Sequence, residues 1–440
     1  MQKTALTKAV AIALATMGAS AAFAQSSVTL YGNLDVAIDS ATKGAGKIAG
    51  TVWSLNPAAA ANVGAESHVV RIAPSVSSSS ALGVKGTEDL GGGYKAGFVL
   101  EGQMGIDTGA QNGQDSRMWG RQAFVGLTTP VGEIRLGRQY APMFYTFAFS
   151  TVEALGGADL QGFGLVTNNL QIRQDNQMSY WVKTGGLTAA LSYSPQAGVP
   201  DKISSMRAPA STSSTGQILG GATAGTEAAE QGGRGQAIGL FANYAVSDAL
   251  LLNASYHMNK FGNATAGSYN ATSSTYTAMF ALDKHIGYAL GAKYTVPNLG
   301  TQVSGVFHSG KYEMDAGSVV QNIKTNTFAL GVKHPIGNFA VGAQYAVSKF
   351  TNFSEGKDTA LMLIGDYNFS KRTKVYTRFG FAKDDAGKAA NIGFGPYGVN
   401  GGPLPVLTGL GSQETPFFSG AGANIGNTTR MLAIGVRHQF

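Results

Sequence analysis

The 440 residues contain no cysteine, which excludes a small disulfide-stapled scaffold. Charged residues are sparse at 13%, and beyond the N-terminal leader no run approaches the roughly 18 apolar residues that a membrane-crossing helix needs. The net charge is +7, of which Lys3 and Lys8 supply two units, and the basic residues are scattered rather than run together. That distribution argues against nucleic acid as a partner. The six histidines, at 68, 257, 285, 308, 334 and 438, show no metal-ligand spacing, and neither HExxH nor GxSxG occurs. "GGRGQAIG" at 232–239 imitates a dinucleotide fingerprint but leads into an alternating segment instead of a helix, so no cofactor is implied. A barrel-borne lipase needs no local motif, yet no paired signature supports one. The expectation is a protein that is not an enzyme.

Glycine (61 residues) and aromatics (10%) are plentiful. "MQKTALTKAVAIALATMGASAAFAQ" has a basic start at Lys3 and Lys8, an apolar stretch from Ala9 to about Met17, and the small-x-small pattern Ala22-Phe23-Ala24. This is the pattern of a secretory signal peptide, residues 1–24, cleaved after Ala24 and leaving residues 25–440 as one domain.

The rest of the chain alternates. In "VTLYGNLDVAIDS", Val28, Leu30, Leu34, Val36 and Ile38 share one face, while Thr29, Tyr31, Asn33, Asp35 and Asp39 share the other. The same period recurs in "GYKAGFVLEG", "NFAVGAQYAVS" and "KVYTRFGFA", the mark of strands with one greasy and one wet face. Tight turns at 89–93, 129–132, 184–186, 246–248, 296–300, 334–337 and 369–372 alternate with long irregular connections near 41–78, 108–118, 141–175, 195–234, 259–274, 311–325, 351–357 and 384–427. Seven tight turns and eight long loops join sixteen strands, the asymmetry of a transmembrane barrel rather than of a soluble sandwich. The expected fold is therefore all-β, a 16-stranded antiparallel transmembrane β-barrel. Strand periodicity runs to the last residue of "GVRHQF". The final strand is thus expected to zip against the first, with Phe440 facing lipid at the interface.

The stretches "SSVTLYGNLDVAID", "GVKGTEDLGGGYKAGFVLEG", "RQAFVGL", "GEIRLGRQYAP" and "GVRHQF" resemble the general porins of the Gram-negative outer membrane, most closely the neisserial and betaproteobacterial branch. The resemblance covers essentially the whole mature chain. It implies a homotrimer of water-filled barrels for passive diffusion of small hydrophilic solutes and ions, set in outer-membrane lipid and lipopolysaccharide. It also implies a third external loop folded inward as a constriction, and a C-terminal aromatic strand, ending at Phe440, that the assembly machinery reads.

The third loop is unusually apolar for an external one, which fits a segment tucked inside. "VEALGGAD" resembles the acidic loop segment of enterobacterial porins, with Val152 in place of its proline, and assigns Glu153 and, by a looser fit, Asp159 to the acidic side of the constriction. On the basic side, Arg121 and Arg173 match constriction arginines of the family. Parity puts Arg121 with Ala123 and Arg173 with Ser179, on the expected lumen face. The family's second-strand arginine is replaced by Ala81; Lys85 shares its face, and Arg71 lies in an inserted region nearby. Arg138 has lipid-face parity after Ile134 and Leu136 and needs a bulge at Gly137 to enter the pore. Such a ring of positive charge facing carboxylates makes a transverse field, and the basic excess implies a preference for anions. The alternative is a channel dedicated to a sugar or carboxylate, for which Tyr31 and Tyr376 alone do not make an aromatic track.

Overall fold

A computed structural model of the chain describes residues 27–43, 51–54, 67–74, 76–111, 118–152, 173–195, 236–260, 265–270, 275–315, 320–352, 356–384 and 428–440. The segment expected to be a signal peptide, residues 1–24, lies outside them. The strands are β1 (Ser27–Lys43), β2 (Thr51–Ser54), β3 (Ser67–Pro74), β4 (Ala81–Gly91), β5 (Tyr94–Gly105), β6 (Ala110–Gln111), β7 (Gln122–Thr129), β8 (Gly132–Tyr140), β9 (Arg173–Thr184) and β10 (Leu187–Ser194). They continue with β11 (Ala237–Ala245), β12 (Leu250–Lys260), β13 (Thr265–Asn270), β14 (Thr275–Thr295), β15 (Gln302–Asp315), β16 (Val320–Ile336), β17 (Phe339–Asn352), β18 (Gly356–Asn368), β19 (Thr373–Asp384) and β20 (Thr428–Gln439). Among the described residues one helix, α1 (Pro142–Phe149), follows β8.

These strands make a closed barrel with sixteen wall positions. The short β2 pairs with β13, which extends the upper part of β14, and β6 pairs only with the end of β5. Strands β3 and β4 share one position, because both pair antiparallel with β1, β3 along Val36–Lys43 and β4 along Ser27–Asn33. The first long connection, expected to span 41–78, is therefore shorter than its sequence suggested. Residues 67–74 belong to the wall, and residues 76–80 turn inward. There Val76, Ser77 and Ser80 are fully buried, and the Asp35 carboxylate accepts hydrogen bonds from the backbone N–H groups of Ser77 (3.3 Å) and Ser78 (2.9 Å).

Closure is made by β1 against β20, in register from Asn33 opposite Gln439 to Lys43 opposite Thr429. Beyond it, Gly32 and Phe440 exchange both backbone hydrogen bonds, each 3.1 Å. Gly32 is needed here: a Cβ would collide with the Phe440 ring. Alternation assigns the two faces of the wall. Ile434 is 59% exposed on the outer face whereas its neighbour Ala433 is 1% exposed on the inner one. Outward residues such as Val28, Leu136, Leu240, Leu330 and Phe339 form an apolar belt, which only a hydrocarbon surrounding covers favourably. Tight turns end the strand pairs where expected, and Gly91, Gly92 and Gly93 all take the left-handed φ that other residues avoid.

Replacing Phe440 by Ala removes the ring that covers Gly32 at the seam. The expected loss is about 1–3 kcal/mol of barrel stability, read as a lower temperature for loss of the compact, heat-modifiable gel band.

Candidate functional site

After Tyr140 the chain turns into the barrel. Pro142 opens α1 at a position where its missing N–H costs nothing, and Pro142, Met143, Phe144, Phe147 and Ala148 are buried. A helix this apolar has no place in an external loop exposed to water. It lies against the inner faces of β10, β11, β12 and β14. Three glycines make the seat. A Cβ on Gly239 would stand 2.8 Å from Pro142 Cδ, one on Gly331 would stand 2.9 Å from Val152 Cγ1, and one on Gly291 would strike Ser150. Asn253 of β12 donates to Ser150 Oγ at 3.1 Å. Tyr145 packs its ring edge-on against Trp181 (5.1 Å) and beside Phe241 (5.6 Å), and burial pushes the pKa of its phenol up, so it stays neutral. Glu153 and Asp159, assigned to the acidic side of the constriction, lie outside the described residues.

The basic residues occupy the rest of the circumference. Arg121 forms an ion pair with Glu101 and donates from Nη2 to Tyr140 Oη at 2.7 Å. Its route into the lumen differs from the parity argument. On β7, Val125 is 64% exposed and Phe124 only 8%, so Ala123 belongs to the outer face. Arg121 reaches inward because it sits in the bend before β7, its N–H held by the Glu101 carbonyl at 3.0 Å. Arg173, 5% exposed, stands opposite Tyr140 with its guanidinium carbon 5.3 Å from that ring's centroid. Arg138 is 8% exposed and pairs with Asp175 while donating to the Gly120 carbonyl at 2.7 Å. A register shift between Gly137 and Gln139, with Gly137 at φ 129°, accompanies its departure from the outer face. Lys85 is exposed on the face of Tyr31, 5.2 Å from the ring centroid. Arg71 grips Asp39 in a fork, Nε to Oδ1 and Nη2 to Oδ2 at 3.1 Å each.

Other inward groups meet across the wall, and of these only Tyr31 and Tyr376 were singled out from the sequence. Asp366, 5% exposed, receives Arg378 (2.8 Å), Lys333 (2.9 Å) and Lys374 (3.1 Å). Asp35 accepts from Tyr376 Oη at 2.6 Å, and Tyr31 donates to Glu101 at 2.9 Å. Alternation in "GYKAGFVLEG" and "KVYTRFGFA" puts Glu101, Lys374, Tyr376 and Arg378 on wet faces, as it does Asp35 in the first strand. Their meeting depends on strand register, which periodicity does not supply. The arginines therefore face wall carboxylates first. A buried guanidinium without such a partner costs several kcal/mol. Among the described residues, the charged arc runs from Lys333 on β16 through β18 and β19 across the seam to β9, and α1 lies against the wall from β10 to β14. His257, His285 and His308 also converge on neighbouring strands, although no spacing in the sequence announced them.

A polar lumen inside an apolar belt, narrowed by a helix on one side and lined with arginines on the other, is the interior of a channel. The chain matches the family of Gram-negative porins over residues 9–387. It belongs to the Gram-negative porins. Among curated relatives, outer membrane porin protein 32 of Delftia acidovorans is 28% identical, covering 98% of this chain and 99% of that protein. An outer membrane porin protein of Bordetella pertussis is 27% identical over 90% of this chain and 99% of its own length. In fold, the chain is similar to a solved anion-selective porin from Comamonas acidovorans, with a TM-score of 0.61 and 24% identity, covering 94% of this chain and all of that one. The porin is thus a passive outer-membrane channel, and its relatives point to a channel rather than an enzyme.

Gly291→Val overfills the seat under Ser150 at a cost of about 1–3 kcal/mol. The expected result is a barrel that still closes, with α1 pushed toward the lumen axis and a lower single-channel conductance in a planar bilayer.

Proposed function

We propose that this porin is a diffusion channel for small hydrophilic solutes that prefers anions. The observation that carries the proposal is the local excess of cations over carboxylates along the lumen. Among the described residues, Asp366 faces Lys333, Lys374 and Arg378, and around Tyr140 Glu101 faces Arg121 while Arg173 stacks beside it. Pairing holds these side chains in fixed geometry, and the surplus leaves a positive field in a low-dielectric wall, where it focuses into the water of the pore. In this reading Arg121, Arg173 and Arg138 form the basic side of the constriction, with Lys85 further toward the turn end. Glu153 and Asp159 supply the acidic side from the loop.

The aromatic rings around Tyr145 serve as the helix seat and not as a sugar track, which favours a general channel over a dedicated one. The porin works as a homotrimer, in keeping with its family, in contact with outer-membrane lipid and lipopolysaccharide. Its final strand, ending at Phe440, is what the assembly machinery engages.

The test is the reversal potential of the purified barrel in a planar bilayer under a KCl gradient. Chloride preference is expected, shifting toward potassium in Arg121→Ala, Arg173→Ala and Arg378→Gln. The preference is also expected to fade as salt rises from 0.1 to 1 M, because the screening length shrinks from about 10 Å to about 3 Å. A selectivity indifferent to both salt and these substitutions overturns the reading.

A further inference from the structure

We propose that His257, His285 and His308 form a binding site for a divalent transition-metal ion of the Zn²⁺ or Cu²⁺ class, set in the barrel wall beneath α1. They come from three adjacent wall strands. His257 on β12 lies opposite Gly287 of β14, two residues from His285, and His308 on β15 lies opposite Ala289 of the same β14. One nitrogen of each ring lies within 4.8 Å of the others. All three residues are buried, at 3%, 0% and 0% exposure.

Three observations point to a ligand beyond ordinary packing. The first is unmet polarity: neither ring nitrogen of His308, nor Nδ1 of His257, has a hydrogen-bond partner among the described residues, and a buried polar atom in that state costs about 1–3 kcal/mol. The second is the approach of His257 Nε2 to His285 Nδ1, 2.5 Å apart. One ring donates its N–H to the bare nitrogen of the other, so the pair already brings together two imidazoles whose lone pairs an ion can take once that hydrogen is displaced. The third is a cradle of missing side chains. A Cβ on Gly287 would stand 2.7 Å from His257 Cε1 and 2.9 Å from His308 Nε2. One on Gly310 would stand 2.8 Å from His285 Nε2 and 2.9 Å from His308 Cε1. The two glycines leave the rings space to turn.

Neutral imidazole is the usual ligand for such ions, and three of them leave a coordination position for water or an anion from the lumen. Nitrogens at about 2.0–2.1 Å from a tetrahedral ion sit about 3.3 Å apart, so small ring rotations convert the present arrangement. Phe147 of α1 lies edge-on to His308 with centroids 5.9 Å apart and shields one side of the site. A bound ion adds two positive charges to the wall under the constriction helix. Resting on the channel reading given above, it thereby strengthens the preference for anions.

The experiment uses the folded barrel in detergent with Zn²⁺ or Cu²⁺ alone as probe. Competition with a chromophoric chelator is expected to find one tight equivalent of Zn²⁺ per chain. Electron paramagnetic resonance of the Cu²⁺ form is expected to show splitting from imidazole nitrogens. His308→Ala is expected to weaken binding by at least about 100-fold, the upper end of what outer-sphere changes alone produce. Gly310→Ala, which removes no ligand, is also expected to weaken it, while His438→Ala leaves it unchanged. In bilayers, Zn²⁺ is expected to move the reversal potential toward chloride for the wild type but not for His308→Ala. No tight equivalent in the wild-type barrel, a Cu²⁺ spectrum without nitrogen splitting, or binding lost with His438 instead of His308 overturns the site. Tight binding without a shift in reversal potential overturns its role in selectivity. A barrel that binds the metal yet never conducts would count against the channel reading alone.

Discussion

An unpaired peptide group in hydrocarbon costs several kcal/mol, so a sheet in a membrane cannot keep an edge. The pairing of β1 with β20, extended by the reciprocal bonds of Gly32 and Phe440, is the constraint on which everything else in this porin depends. Once the sheet closes, each strand presents one face to lipid and one to the lumen, and each inward residue becomes a decision about the pore. A barrel of sixteen strands is too wide for its own side chains to fill. The chain narrows it with backbone: residues 76–80 turn in beside Asp35, and α1 lies on the opposite wall.

The two inward segments are held by different physics. The serine-rich turn at 76–80 is fixed by hydrogen bonds to one carboxylate, which also takes the Tyr376 hydroxyl. The helix α1 is fixed by apolar burial and by the absence of side chains at Gly239, Gly291 and Gly331. Between them the lumen keeps charge on one arc. Its arginines are immobilised by carboxylates a strand away, as Arg121 is by Glu101 and Arg138 by Asp175. Pairing sets position, and the uneven count of cations and carboxylates leaves a net field. Selectivity in this account belongs to clusters, not to any one arginine.

How much of this was legible in the sequence follows from what each signal encodes. Turns and alternation are local, and they placed most of the wall strands; the inward course that α1 takes was expected from the family resemblance and from the apolar composition of that segment. Register and interruption are not local. Nothing in "HVVRIAP" says that β3 continues the wall before the chain leaves it, because loop and strand there differ only in what β1 offers as a partner. Arg121 was expected on the lumen side through Ala123, whose face is the outer one; a bend of one residue reverses parity, and composition does not reveal it. The ion pairs and the three histidines needed cross-strand register, which brings residues far apart in sequence side by side. His257, His285 and His308 are far apart in the sequence and show no ligand spacing there; only the pairing of β12, β14 and β15 makes them neighbours.

The central claim is that α1 rests on the inner wall of a closed, conducting barrel. Because the chain has no cysteine, a cross-link between Ser150→Cys and Asn253→Cys, whose side chains now share a hydrogen bond of 3.1 Å, can be read without background. The account predicts that the disulfide forms in the folded barrel and that the oxidised channel keeps the unitary conductance of the reduced one. Failure to cross-link, or a cross-link that changes the conductance severalfold, would contradict it by showing that the open channel holds this loop elsewhere.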